Sequence, residues 1–218
     1  MVTEIYFRTS MFATKITLKH RIPSFFMKLM PSLTWKVKNH DKKIYLTFDD
    51  GPHPTITPWV LQTLAQYHAK ATFFCVGDNV RKFPETYAQI LQAGHRTGNH
   101  TFNHVNGWRT KNRLYYKNIE MAASLIKSNL FRPPYGRITA TQSRALKKNY
   151  QIVMWDVLTC DFDKNLNVEV ALDNCIRLTE EGSIVVFHDS EKAAANMMRM
   201  LPSMLSHFSE KGFTFDAL

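Results

Sequence analysis

The sequence predicts an α/β fold in which about seven parallel strands alternate with helices. After residue 42, short apolar runs rich in β-branched and aromatic residues alternate with longer amphipathic runs, which is the pattern of β-α units around a parallel sheet. The chain has 218 residues, 44% of them hydrophobic, so it can form one sizeable core but is short for two. The pattern leaves open whether the sheet closes into a barrel or stays open and doubly wound.

Seven runs are strand candidates, and the segments between them are helix candidates. The candidate strands cover residues 43–48, 71–76, 95–99, 129–133, 151–157, 183–187 and 213–216. Their β-branched and aromatic residues favour a pleated, half-buried surface. In the first helix candidate, Thr57 precedes Pro58 and apolar residues at helical spacing, so we predict Thr57 as the N-cap. Gly94 and Gly212 stand where two later helices are predicted to end.

The first 42 residues form a basic extension before the first predicted strand. Residues 1–43 carry nine lysines and arginines against two acidic residues, which is +7 of the net charge of +10. Such a segment could contact an anionic membrane surface, an acidic glycan or a nucleic acid, or remain a solvated extension. We therefore predict two parts: residues 1–42, which pack on the α/β domain or lead into it, and residues 43–218, which form that domain.

The sequence supports neither export nor a membrane-spanning segment. Charged residues interrupt every window in which the apolar core of a signal peptide would lie. No stretch reaches the roughly 18 uncharged apolar residues of a transmembrane helix. Cys75, Cys160 and Cys175 cannot all pair within one chain, and we expect them to be reduced and mostly buried. A cytoplasmic or membrane-peripheral location is therefore predicted rather than secretion.

Candidate metal ligands follow the first and third predicted strands. The first strand runs into Asp49 and Asp50 before a Gly-Pro turn, and the third runs into His100 and His104. The two histidines would share one face if the chain turns helically there. One carboxylate of the aspartate pair and both imidazoles would supply an oxygen and two nitrogens. That set suits catalytic zinc but also a non-haem iron oxygenase, so the ligands alone do not define the reaction.

Polar groups at three further strand ends narrow the reaction to hydrolysis of an amide. Arg132 beside Asp49 would hold that carboxylate ionised as a general base. The backbone N–H of Tyr135, in a stiff Pro-Pro-Tyr-Gly segment, could stabilise an oxyanion. His188 could protonate a leaving amine, with its pKa raised by a hydrogen bond to Asp161. An oxygenase has no use for such a base and acid, so the set favours hydrolysis.

The motifs resemble those of the NodB-type polysaccharide deacetylases, carbohydrate esterase family four. Thr-Phe-Asp-Asp-Gly-Pro at residues 47–52 is similar to the family's first motif, and His-Thr-Phe-Asn-His at 100–104 to its second. Arg-Pro-Pro-Tyr-Gly at 132–136 is similar to the third motif, and Val-Phe-His at 186–188 to the fifth. The resemblance covers residues 43–218 and implies a distorted (β/α) barrel of about seven parallel strands.

The resemblance also implies a role for each candidate residue. Asp49 would be the base with Arg132 as its partner, and His188 would be the acid. The implied metal ligands are Asp50, His100 and His104. The fourth motif departs from the family's pattern, because residues 160–162 read Cys-Asp-Phe where the family usually ends in Asp-Trp. The carboxylate is kept, and the aromatic ring lacks an indole N–H.

From these features we predict a divalent-metal hydrolase that removes an N-acetyl group from an amino-sugar glycan such as chito-oligosaccharide or peptidoglycan. Zinc is the expected metal, with cobalt, nickel and iron as alternatives, and neither an organic cofactor nor a nucleic-acid partner is expected. The basic extension favours a second hypothesis, deacylation or deformylation of a lipid-linked amino sugar at an anionic membrane surface. A third is a glycan-binding protein without turnover, against which the complete set of base, ligands and acid argues.

Overall fold

Parallel strands form a curved sheet that helices surround. The computed structural model describes residues 20–21, 24–38 and 41–218. Within these residues there are eight short strands, and every strand pair is parallel. In chain order they are β1 (Lys43–Asp49), β2 (Ala71–Cys75), β3 (Arg96–Asn99), β4 (Leu130–Phe131), β5 (Gln151–Ile152), β6 (Val157–Leu158), β7 (Ile184–His188) and β8 (Thr214–Phe215).

Helices connect most of the strands, and α1 (Ser24–Leu29) precedes them. The others are α2 (Ile56–Ala65), α3 (Gly77–Lys82), α4 (Pro84–Gln92), α5 (Asn112–Ala123), α6 (Ala140–Leu146), α7 (Val168–Leu178) and α8 (Ala194–Glu210), with a 3-10 turn at Pro134–Gly136. Gly94 and Gly212 follow the ends of α4 and α8 with φ values of 75° and 74°. Both predicted helix ends are therefore confirmed, since glycine adopts this left-handed conformation without a Cβ penalty.

The two ends of the sheet lie close together, so the sheet is curled. The strand order is β5-β4-β3-β2-β1-β7-β6, with β8 paired to the start of β1. Strands β5 and β6 end this order, yet Val157 is five residues after Ile152. Five residues span at most about 18 Å, whereas seven strands in a flat row would extend about 29 Å. The predicted distorted barrel is therefore confirmed.

The predicted strand at residues 151–157 is wrong in its extent, because the chain forms two strands there. Residues 153–156 separate β5 from β6. The carbonyl oxygens of Val153 and Met154 accept hydrogen bonds from Nε and Nη2 of the buried Arg132, at 3.3 and 2.9 Å. The side chain of Arg132, the residue after β4, thus takes acceptors that a continuous strand would offer to its neighbour. Residue periodicity does not reveal such a contact.

Strand β1 is an interior strand between β2 and β7, and its side chains point to two opposite layers. Phe48 stacks on Phe73 of β2 and Phe187 of β7, with ring centroids 5.0 and 5.8 Å apart. Burial of each such ring stabilises the fold by about 2 to 3 kcal/mol. Because side chains alternate along a strand, Asp49 points to the opposite face, where it meets Arg132. The apolar layer therefore anchors the strand whose end carries Asp49.

Residues 33–37 run alongside the chain that joins β5 to β6 and the start of β7. Backbone bridges join this segment to Val153, just after β5, and to Ser183, just before β7. Leu33 and Trp35 are buried together with core residues of β4 and β5. The part of the extension that the structure describes thus contributes side chains to the core.

The division at residue 42 and the role of the basic extension stay predictions. Residues 1–19, 22–23 and 39–40 lie outside the described residues, and they include much of the segment on which the membrane hypothesis depends. Among the helices that the structure describes, none has the length and apolar character needed to cross a bilayer. The three cysteines are reduced and buried, which confirms that prediction.

The predicted N-cap of the first long helix is wrong. Helix α2 begins at Ile56, and its N-cap is Thr55, which makes no side-chain cap hydrogen bond. Thr57 lies inside the first turn, where its hydroxyl donates to Asp189 Oδ2 (2.5 Å) and accepts from the backbone N–H of His53 (2.8 Å). Thr57 therefore ties α2 to the residue that follows β7.

Candidate active site

A cavity of about 280 Å³ opens at the carboxyl ends of the strands. Its lining residues are Asp49, Asp50, His100, His104, Tyr135, Arg137, Trp155, Leu158, Phe162, Val186, His188 and Lys192. Six of the eight predicted site residues are in this lining. The other two, Arg132 and Asp161, are fully buried and hydrogen-bonded to residues of the lining. The structure thus brings all eight predicted residues together.

Asp50, His100 and His104 form a cluster that could hold one metal ion. One ligand atom from each residue lies within 4.8 Å of the other two. Asp50 Oδ1 is 3.2 Å from His104 Nε2 and 3.9 Å from His100 Nε2. Burial alone would raise the pKa of Asp50, but the charge of the nearby His188 imidazole lowers it. The donor types and their spacing therefore fit a divalent cation.

Contacts at Nδ1 orient both imidazoles so that Nε2 faces Asp50. His100 Nδ1 lies 2.7 Å from the carbonyl oxygen of Arg132, so Nδ1–H donates and Nε2 keeps its lone pair. His104 Nδ1 lies 3.2 Å from the hydroxyl of Tyr135. Burial lowers the pKa of His100, and burial together with His100 lowers that of His104 to about 4. Both imidazoles are neutral at neutral pH, which is the form that binds a metal.

The two histidines converge without a helical turn, so that part of the prediction is wrong. Residues 100–105 contain no helix, and Thr101 and His104 have positive φ values of 63° and 53°. The backbone N–H of Thr101 donates to Asn99 Oδ1 (2.8 Å), and the hydroxyl of Thr101 accepts from Val105 N–H (3.1 Å). Such backbone strain, about 1 kcal/mol or more per residue, persists where surrounding contacts fix the conformation.

Asp49 is paired with a fully buried arginine. Arg132 Nη1 donates to Asp49 Oδ1 and to Thr47 Oγ1, both at 2.7 Å. The guanidinium also lies 4.1 Å from the ring centroid of Phe74. A buried cation is costly without a counter-charge, which Asp49 supplies. The other carboxylate oxygen of Asp49, Oδ2, lies 3.9 Å from His100 Nε2, so the pair places it beside the ligand cluster.

A second charged pair lies at the ends of β6 and β7. The carboxylate of Asp161 lies 2.7 Å from His188 Nδ1 and accepts from the backbone N–H of His188 at 2.8 Å. Burial alone would lower the pKa of His188, but the charge and hydrogen bond of Asp161 raise it to about 9. Phe162 packs edge-on against the imidazole, with centroids 5.1 Å apart. The departure in the fourth motif therefore retains an aromatic contact with His188.

Comparison with known proteins agrees with this geometry. The family model described as polysaccharide deacetylase matches residues 36–153, more than half of the chain. A peptidoglycan-N-acetylglucosamine deacetylase of Bacillus cereus is 35% identical over 190 residues, which cover 84% of this chain and 89% of that protein.

This chain belongs to the polysaccharide deacetylase family.

A solved structure and a second relative agree with this membership. A crystal structure of a peptidoglycan N-acetylglucosamine deacetylase in complex with 4-naphthalen-1-yl-N-oxidanyl-benzamide superposes with a TM-score of 0.80 at 29% identity, covering 90% of this chain and 95% of that one. A chitooligosaccharide deacetylase of Azorhizobium caulinodans is 30% identical over 71% of this chain and 77% of its own length. Some relatives are longer, and this chain spans 56%, 35% and 38% of three of them.

Family membership confirms the predicted enzyme class and general reaction. Polysaccharide deacetylases are metal-dependent hydrolases that cleave N-acetyl amides on amino-sugar glycans, and the cluster of Asp50, His100 and His104 is a candidate for the metal site. The roles of the individual residues and the identity of the metal stay predictions.

Tyr135 offers this deacetylase site its side chain as well as the backbone N–H that the sequence analysis singled out. It lies in the 3-10 turn with φ 61°, where the first hydrogen bond runs from Gly136 N to Pro133 O. The N–H of Tyr135 precedes that bond and so has no acceptor within the turn. Its ring packs on His104 with centroids 4.6 Å apart, and its hydroxyl meets Nδ1 of the same imidazole. The side chain thus orients a candidate ligand.

Asp189 is a buried residue of the deacetylase site to which the sequence suggested no role. Its carboxylate accepts hydrogen bonds from Gly51 N–H (3.0 Å) and from the hydroxyl of Thr57 (2.5 Å). A Cβ at Gly51 would overlap this carboxylate, so only glycine permits the approach. Burial raises the pKa of Asp189 to about 7. Asp189 thus fixes the turn that follows Asp50. In the sequence, the only signal of such a role is that Asp189 directly follows a histidine at the end of a strand.

Proposed function

We propose that this chain is a zinc-dependent deacetylase that releases acetate from N-acetylated amino sugars of a glycan such as peptidoglycan or chito-oligosaccharide. The observation that carries the proposal is the arrangement of two carboxylate–cation pairs beside a three-ligand cluster in one cavity. Hydrolysis of an amide requires a group that takes a proton from water and a group that gives a proton to the leaving nitrogen. The two pairs are placed to supply these groups.

Asp50, His100 and His104 would hold the metal ion. A divalent ion, when bound, supplies Lewis acidity, which polarises an amide carbonyl and makes water a stronger nucleophile. Zinc is proposed because one carboxylate and two imidazoles match its preferred donors and leave coordination positions open. Metal analysis of the protein, followed by activity after reconstitution with zinc, cobalt, nickel or ferrous ion, tests this choice.

Asp49 would take the proton from the attacking water. Its Oδ1 is held by Arg132, and its Oδ2 is directed towards the ligand cluster, 3.9 Å from His100 Nε2. A general base in such a position contributes typically about 100- to 10,000-fold to the rate. Arg132 is fully buried and would act through Asp49, as a positioning residue.

His188 would protonate the departing nitrogen. Because Nδ1–H donates to Asp161, Nε2 is the nitrogen left for the substrate in the cavity. With its pKa raised to about 9, the imidazole carries a proton at neutral pH. Transfer of that proton from Nε2 as the C–N bond breaks yields a free amine, with acetate as the other product.

The backbone N–H of Tyr135 would stabilise the oxygen of the amide as it becomes negatively charged. A fixed N–H donor lowers the barrier because it need not reorganise during the reaction. The rigidity comes from Pro133 and Pro134, which precede Tyr135, and from the packing of its ring on His104.

The direct test is acetate release from a panel of glycans by the metal-loaded protein. The panel contains N-acetylated chito-oligosaccharides and soluble peptidoglycan strands, and Asp49→Asn is the matched control because it changes one functional group at nearly constant volume. Release that is lost in the control supports the proposal. Glycan binding without acetate release would contradict it and favour a binding protein. If only a lipid-linked amino sugar were deacylated, the result would favour the second hypothesis, in which that sugar is the substrate.

A further inference from the structure

Two cationic side chains on the cavity wall belong to neither of the charged pairs of the proposed reaction. The base pair and the acid pair each combine one carboxylate with one cation. Arg137 and Lys192 also line the cavity, and neither forms an ion pair within the part of the chain that the structure describes. Two uncompensated positive charges in a substrate cavity favour a substrate with negative groups.

Arg137 is held by an exposed tryptophan. Its guanidinium carbon lies 5.1 Å from the ring centroid of Trp108, and Trp108 Nε1 donates to the carbonyl oxygen of Ile138 at 3.1 Å. A guanidinium stacked on an aromatic ring keeps its N–H donors, which lie in its own plane, for another partner. Arg137 is therefore oriented at the cavity wall with donors that a carboxylate could accept.

Lys192 is held by the aromatic residue next to the proposed acid. Its Nζ lies 4.9 Å from the ring centroid of Phe162, which in turn packs against His188. The neighbouring carboxylate of Glu191 pairs with His53 instead, with Oε1 and Nε2 3.4 Å apart. The ammonium group is thus placed beside the acid without a counter-charge.

The two cations stand on opposite walls of the cavity. The strand order β4-β3-β2-β1-β7 places the loop after β4, with Arg137, and the loop after β7, with Lys192, on either side of the strand ends that carry Asp49 and His100. We propose that Arg137 and Lys192 bind carboxylates on the sugars that flank the reacting unit, so that the site selects a carboxylate-bearing glycan over a neutral one. This inference rests on the proposed function, because it concerns the same cavity.

An alternating polymer in which every second amino sugar carries a carboxylate fits this placement. Each reacting N-acetylglucosamine then has an anionic neighbour on both sides, as in glycan strands of peptidoglycan whose lactyl carboxyl groups carry no peptide. A neutral chito-oligosaccharide would cover the two cations without giving either a partner, which costs desolvation free energy. The net charge of +10 adds attraction for the anionic polymer at long range.

The first test compares two forms of one glycan on the metal-loaded full chain. The forms are soluble peptidoglycan strands freed of their peptides, which expose the lactyl carboxylates, and the same strands after conversion of these carboxylates to primary amides. We expect the charged form to have a lower KM, by about 5-fold for each cation, because an exposed ion pair contributes up to about 1 kcal/mol. High salt should reduce the difference. A KM ratio near one would overturn the inference.

The second test assigns the selectivity to the two cations. Arg137→Gln and Lys192→Gln should each raise KM for the charged form about 5-fold and leave KM for the amidated form unchanged. Arg144→Gln on α6 and Lys127→Gln before β4 are charge-matched controls outside the cavity lining, and they should change neither. Equal increases for both forms in the cavity variants would mean that the side chains act through packing, and the inference would be wrong.

Failure of the proposed function would be recognised separately. If neither form of the glycan released acetate, the proposed reaction would be wrong. Calorimetric binding of the two forms would then decide the present inference independently. Tighter binding of the charged form supports it, and equal affinity overturns it.

Discussion

At the scale of single residues, buried charges define the chemistry of the site. Arg132 has no exposed surface, and its donors reach Asp49, Thr47 and two backbone carbonyls. Asp161 is also fully buried and binds His188 through both oxygens. Removing one member of such a pair leaves the other buried and uncompensated, which costs about 3 to 5 kcal/mol. Orientation of the proposed base and acid is therefore coupled to the stability of the fold.

Asp49→Asn and His100→Ala should separate catalysis from metal binding. Asp49→Asn should lower turnover at least about 100-fold while the metal stays bound, because Asp49 is not in the proposed ligand set. His100→Ala should lose both, because it removes a ligand nitrogen. Acetate release and bound metal per chain are the two measurements.

Two controls accompany these variants. The unfolding midpoint of Asp49→Asn shows whether the uncompensated Arg132 has destabilised the protein before activity is interpreted. Equal loss of metal in both variants would mean that Asp49, and not Asp50, is the ligand.

Asp161→Asn should lower the pKa of His188. In the wild type this pKa is raised from 6.5 to about 9, although burial by itself lowers it. Without the Asp161 carboxylate, the lowering effect of burial should dominate more. NMR titration of the imidazoles in metal-free protein measures the change. His95, whose pKa burial lowers to about 4, is the internal control and should not move. An unchanged His188 would contradict the assigned role of Asp161.

The same pKa shift has a consequence for stability. Because the folded pKa of His188 lies above the unfolded value of 6.5, its proton stabilises the fold fully below about pH 6.5, and the contribution is lost as the pH rises through about 9. Asp161→Asn should flatten the fall in unfolding free energy over this window. Urea titrations across the pH range measure it, and an unchanged slope would count against the pairing.

At the scale of the elements, the turns that follow the strands carry the strain. Non-glycine residues with positive φ follow β1, β3, β4 and β6; they are Asp50, Thr101, His104, Tyr135 and Cys160. Each costs about 1 kcal/mol or more, which hydrogen bonds such as that from Asn79 Nδ2 to the Asp50 carbonyl (2.7 Å) offset. Three of these five residues, Asp50, His104 and Tyr135, have side chains that line the cavity.

Gly51→Ala should displace Asp50 and weaken metal binding. The added methyl group overlaps the carboxylate of Asp189, so the hydrogen bond from Gly51 N–H must break or the turn must shift, with a stability loss of about 1 to 3 kcal/mol. Gly212→Ala is the matched control, because it meets no atom within 4 Å at φ 74°. It should lose about 1 kcal/mol from backbone strain and keep its metal affinity. Equal metal affinity in the two variants would contradict the positioning role of Asp189.

At the scale of the whole molecule, residues 33–37 lie beside the chain at which the sheet curls back on itself. This segment bridges to Val153 and Ser183 and buries Leu33 and Trp35. We infer that the folding unit of the catalytic domain begins before residue 33, although the first strand begins at residue 43. The apolar side chains of the segment cover core residues near the join between β5 and β6.

Trp35→Ala should destabilise the protein by about 3 to 5 kcal/mol, because a buried indole is removed from a packed cluster. Trp108→Ala is the matched control. With 63% of Trp108 exposed against 8% of Trp35, its loss should change stability by about 0.5 kcal/mol or less. Denaturant titration of both variants makes the comparison. Similar losses would show that the segment is not part of the folding unit.

Much of this architecture follows from local patterns, and the exceptions have a common cause. Six predicted strands have close counterparts, because β-branched and aromatic runs report burial locally. The break between β5 and β6 depends on the guanidinium of Arg132, which follows β4. The true role of Thr57 depends on Asp189, which is 132 residues away in the chain. Such long-range contacts leave no periodic signal.

The sequence by itself determined the fold class, the family and the set of polar residues at the strand ends, because parallel strands place their carboxyl ends at one edge. The tertiary structure decided which atoms meet. It pairs Asp49 with Arg132 and His188 with Asp161, brings His100 and His104 together through left-handed turns instead of a helix, and bonds Asp189 to the turn that follows Asp50. These arrangements depend on burial and on contacts between distant segments, and neither is encoded in local spacing.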